Sequence, residues 1–77
     1  MQAYEEVAEF IAARGPKEVA DFQPSTDTRK RVSELLQREK KGEITTEERR
    51  DLDHLENLEL LMNLAKARAR QLLAHGQ

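Results

Sequence analysis

Apolar residues recur at three- and four-residue intervals through most of the chain, a spacing that predicts helices, and no run carries a strand signal. The first helix is expected from about Ala3 to Arg14, with Tyr4, Val7, Ala8, Phe10 and Ile11 at helical spacing. Glu5, Glu6 and Glu9 take its polar side and favour its N-terminal end. Gly15-Pro16 closes it: glycine suits a left-handed closing residue, and proline suits the first position of a new helix. A short helix from Pro16 to about Phe22 then presents Val19, Ala20 and Phe22 inward, until Pro24 pushes the residue before it away from helical angles.

Ser25 is the expected N-cap of a third helix, Thr26 to about Lys41, with Asp27 in its first turn. Its apolar stripe is narrow, Val32, Leu35 and Leu36 only, and Glu34 and Arg38 are spaced as a supporting pair. Gly42 is the stop. In "ITTEE", Thr45 and Glu48 have the spacing of a capping box, and Ile44 precedes the cap where it can fold back on the first turn. Nothing interrupts the pattern from Thr46 to about Ala74, which gives a last helix of about 29 residues, roughly 43 Å long at 1.5 Å per residue. The expected fold is all-α, a small bundle of three to four helices in one domain, dominated by a long C-terminal helix.

That last helix carries more apolar surface than one neighbour can cover. Leu55, Leu58, Met62, Ala65, Ala69 and Leu72 form a seam, broadened by Leu61 and Leu73. Leu60, Leu64 and Ala67 lie on a second side, bounded by Asn57 and Arg68 on one flank and Glu56, Asn63 and Arg70 on the other. Either the short N-terminal helices fold over this second side, or one side closes the core while the other meets another chain. The reading adopted is the latter, a homodimer whose long helices pair between Leu58 and Ala69, where Ala65 and Ala69 permit close approach.

Composition adds pressure in the same direction. A chain of 77 residues with 38% hydrophobic and 36% charged residues, and with Tyr4, Phe10 and Phe22 as its aromatics, has few large side chains for a core. Small scaffolds usually add a disulfide, a metal or a partner. The absence of cysteine removes disulfides and thiolate metal sites and fits a reducing cytoplasm. The opening "MQAYEEVAEFIAA" lacks the features of a signal peptide, and no apolar run reaches membrane-span length, so a soluble cytoplasmic protein is expected.

Candidate chemistry is thin. Asp51, Asp53, His54, Glu56 and Glu59 cluster in sequence, but Asp53 and His54 are adjacent and diverge on a helix, so the run reads as a solvated acidic face and no metal or cofactor is expected. His75 lies where a helix end favours a cation. Ser25, Ser33, Thr45 and Thr46 are accounted for by capping or exposure, and no glycine cluster could cradle a phosphate; an enzyme is not expected. Nucleic-acid contact is the alternative. Arg29, Lys30 and Arg31, with Lys66, Arg68 and Arg70, could supply phosphate contacts to a small DNA-binding regulator if the fold gathers them. Against this, the net charge is −2, the last group spreads around its helix, and no aromatic stacking set accompanies it.

Several of these segments together resemble a family of small, mostly uncharacterised bacterial proteins, common in cyanobacteria, whose genes often precede that of a small HNH-type nuclease. The similarity runs from about Val7 to Leu73. It rests on "EFIAA" (Glu9 to Ala13), "PKEVADF", Pro24-Ser25, "REKKGEIT.EE" from Arg38, "LDH" (Leu52 to His54) and, most specifically, "LE.LM.LAKARAR" from Leu58 to Arg70. Members often carry a second histidine where this chain has Leu60, so no role of that histidine transfers. The resemblance implies a small helical protein beside a nuclease or toxin, hence an antitoxin-like or accessory subunit, with no catalytic residue attached. On that expectation the Leu60, Leu64 and Ala67 side binds the neighbouring protein.

Overall fold

The computed structural model describes residues 2–76. The fold is all-α, with four helices in the order α1 (Gln2–Arg14), α2 (Pro16–Asp21), α3 (Thr26–Lys40) and the long α4 (Thr46–Ala74). The chain forms two compact units, Gln23–Leu58 and Met1–Phe22 with Glu59–Gln77, and α4 contributes to both.

The Gln23–Leu58 unit is a helical hairpin whose ends are closed as the sequence predicts. Ser25 Oγ accepts from the Thr28 backbone N–H at 3.2 Å, satisfying one of the donors left open at the start of α3. At the other end, Glu43 N–H donates to Arg38 O at 2.8 Å and Gly42 N–H to Glu39 O at 3.1 Å, the paired bonds of a Schellman closure. This closure requires the left-handed φ of 73° at Gly42, which glycine adopts without a Cβ penalty. Thr45 and Glu48 then form the capping box: Glu48 N–H donates to Thr45 Oγ1 at 3.1 Å, and Thr45 N–H donates to Glu48 Oε1 at 3.0 Å.

Leu35 and Leu52 are the large side chains fully buried among the described residues, and both belong to this hairpin. Val32, Ile44 and Leu55 are half-buried, whereas Leu36, expected on the α3 stripe, is largely exposed. Around the two leucines the helices are joined by ion pairs: Arg31 with Asp51 at 3.3 Å, Arg38 with Glu48, and Arg49 with Glu39. Arg38 Nε reaches both oxygens of Glu48, at 2.9 and 2.8 Å. Glu34 acts on Arg38 electrostatically, as its spacing predicts, while the direct ion pair goes to Glu48. Arg38 turns to the next helix, where Glu48 is already held in place by the cap.

Glu48 thus accepts from a backbone N–H and from a guanidinium at once. The Thr45 N–H first, and Arg38 second, hold its carboxyl below its ordinary value of 4.5, and the same contact raises Arg38. A carboxyl that titrates lower in the fold than in the unfolded chain stabilises fully above the unfolded value and loses that contribution as pH falls through the folded one. Thermal melts of the wild type and Glu48→Gln are therefore expected to differ at neutral pH and to converge once the pH drops below 4.5 and through the depressed value. Identical melts at neutral pH would contradict the role given to this carboxylate.

Candidate functional site

The second unit, α1, α2 and the Glu59–Gln77 part of α4, is built on a different principle. Its buried residues are all alanines: Ala8 and Ala12 on α1, Ala65 and Ala69 on α4. Each pair is spaced i and i+4, so each helix presents one narrow strip of methyl groups. The two helices meet beside these strips, where Arg68 Nε donates to Glu9 Oε2 at 2.5 Å. Small side chains permit close approach of two helix backbones, and the larger Ile11, Leu61, Met62 and Leu72 flank the strips half-buried.

α2 is tied to the same face of α4 by a single directed bond. Lys66 Nζ donates to the carbonyl of Phe22, the C-cap of α2, at 2.8 Å, placing a cation at the negative end of a helix. Lys17 and Asp21 pair along α2 at 2.8 Å, which raises the first and lowers the second. Pro16 occupies the first turn as expected, but Gly15 does not take the left-handed closing conformation. Its φ of −163° is extended backbone, and it serves as the N-cap of α2.

With alanines inside, large apolar side chains are left outside. Phe10 is 59% exposed and Val7 46%, although helical spacing suggested that both faced inward with Ala8 and Ile11. The buried arc of α1 is centred between Ala8 and Ala12, which turns Val7 and Phe10 away. Phe22, also expected inward, is 45% exposed, while its neighbours Val19 and Ala20 are half-buried. The guanidinium of Arg14 lies 4.5 Å from the centre of the Phe10 ring, a cation–π contact on the outer face of α1.

The residues expected at a partner interface divide accordingly. Ala65 and Ala69 have no accessible surface within the single chain. Leu61, Met62 and Leu72 are half-buried beside them. Leu64 is half-buried and lines a shallow open recess with Glu5, Ala8, Glu9 and Arg68, so α1 reaches this edge of the second side. Leu60 and Ala67, on the same side of α4, remain exposed, as does Leu73. In the hairpin unit Leu55 is half-buried, but Leu58, expected in the seam, is 61% exposed.

The cations considered for nucleic acid are mostly engaged inside their own units. Arg29 bonds Gln23 Oε1 at 2.7 Å and the Pro24 carbonyl at 3.2 Å, and Arg31 pairs with Asp51. Lys66 is bound to Phe22 O, and Arg68 to Glu9 and Gln71. Lys30 and Arg70 are exposed. Among the described residues no group of three His, Cys, Asp or Glu side chains is placed to hold a metal ion, and no helix is long and apolar enough to cross a membrane.

No protein-family model matches the chain, and neither a curated protein nor a solved structure is significantly similar to it.

The alanine strips make a specific demand. Ala69→Leu places three extra heavy atoms where no surface is free, and overpacking of this kind typically costs about 1–3 kcal/mol. Urea unfolding is expected to show that loss for Ala69→Leu and almost none for Ala67→Leu, two residues away on the exposed side. Equal stability of the two variants would show that the strips do not set the spacing of the helices.

Proposed function

We propose that this protein is a non-enzymatic interaction module that acts as a homodimer and serves as the antitoxin-like or accessory subunit of a neighbouring nuclease. The observation that carries the reading is the inversion in the alanine-cored unit: methyl groups inside, and Val7, Phe10, Phe22, Leu60 and Leu73 substantially exposed. Burying a leucine or phenylalanine side chain contributes about 1.5–3 kcal/mol, against about 0.8 kcal/mol for one methylene-sized group. The larger gains are thus left for contact with another chain.

Two exposed surfaces are available in that unit, and they suit different roles. The Leu60–Ala67 side of α4 lies within the sequence block that most specifically resembles the nuclease-associated family, which supports it as the place where the neighbouring protein binds. The outer face of α1 is the candidate for self-association. Nucleic acid has less support, because Arg29, Arg31, Lys66 and Arg68 already hold partners within the chain.

Sedimentation at tens of micromolar is expected to give a dimer, and co-expression with the adjacent nuclease is expected to yield a complex that Leu60→Asp disrupts while leaving helicity unchanged. A monomer throughout, or a nuclease complex indifferent to Leu60→Asp, would contradict the corresponding half of the proposal.

A further inference from the structure

The outer face of α1 has an order of charges that selects its occupant. Glu6, Phe10 and Arg14 follow one another at four-residue steps and form a single ridge along the exposed side of the helix. An acid stands one turn before the aromatic ring and a base one turn after it, and the base is already drawn over the ring at 4.5 Å. Val7, 46% exposed, widens the apolar centre of the ridge.

Such a ridge is complementary to itself in one orientation only. If two copies cross antiparallel at Phe10, each Glu6 faces the other copy's Arg14 and the two rings meet at the twofold axis. A parallel pairing would set Glu6 against Glu6 and Arg14 against Arg14. An isologous interface requires that one patch match its own rotated copy, and acid–aromatic–base does so without any further sequence.

We infer that the α1 outer ridge Glu6–Phe10–Arg14 is the homodimer interface, with a second copy of this chain packed antiparallel across Phe10. This rests on the homodimer reading and names its surface. The long-helix segment from Leu58 to Ala69 is then free of the dimer contact, and its exposed Leu60 side stays open for a different protein.

Charge reversal in sedimentation equilibrium tests this directly on the full chain. Glu6→Arg and Arg14→Glu, each alone, create two symmetric like-charge contacts and are expected to weaken dimerisation by about tenfold. The double variant Glu6→Arg/Arg14→Glu restores opposite charges across the axis and is expected to recover dimerisation. Phe10→Ala is expected to weaken it by at least about thirtyfold. Circular dichroism checks that each variant keeps its helicity, and recovery in the double variant separates an interface effect from misfolding. A wild-type dimer that none of these substitutions weakens overturns the α1 ridge but leaves the homodimer reading standing. A wild-type monomer overturns both.

Discussion

The burial of four alanines, two on α1 and two on α4, is the constraint on which the unit of Met1–Phe22 and Glu59–Gln77 depends. Ala8, Ala12, Ala65 and Ala69 are the fully buried side chains of this unit among the described residues, with Ile11, Leu61, Met62 and Leu72 half-buried around them. Polar bonds then fix what the methyl groups leave loose. Arg68 clamps Glu9 on one side of the strip, and Lys66 holds the end of α2 through the Phe22 carbonyl. Both cations are thus engaged within their own unit.

The Gln23–Leu58 hairpin solves the same problem conventionally. Leu35 and Leu52 fill its centre, the Schellman closure at Gly42 and the Thr45–Glu48 box make the turn, and Arg38 links the capping carboxylate back to α3. One unit is therefore centred on two buried leucines and closed by its own caps, although Leu36 and Leu58 on it are exposed. The other buries alanines, with Ile11, Leu61, Met62, Leu64 and Leu72 half-buried and Val7, Phe10, Phe22, Leu60 and Leu73 exposed.

Helix positions were legible because their signals are local. Ser25, Gly42 and the Thr45–Glu48 spacing each specify a bond between residues at most a few positions apart, and all of those bonds form. What escaped the reading depends on distance between helices. Spacing alone groups Tyr4, Val7, Ala8, Phe10 and Ile11 on one side of the helix. In the structure the fully buried positions of this unit, among the described residues, are Ala8, Ala12, Ala65 and Ala69, while Val7 and Phe10 are exposed. The i, i+4 alanine pairs, Ala8–Ala12 and Ala65–Ala69, are the sequence signal for these buried strips. Leu64 shows the intermediate case, half-covered by α1 at the edge of a side whose other members, Leu60 and Ala67, stay open.

In the proposed reading a second chain completes the alanine-cored unit and leaves the hairpin untouched. Amide hydrogen exchange measured across a range of protein concentrations tests it most directly, since protection reports the local opening free energy of each helix. The account predicts that amides of α1, from the middle of Gln2–Arg14, gain protection as concentration rises through the dimerisation range, while those around Leu35 in α3 stay constant. Protection of α1 that is already as strong as that of α3 at high dilution, and unchanged by concentration, would contradict it.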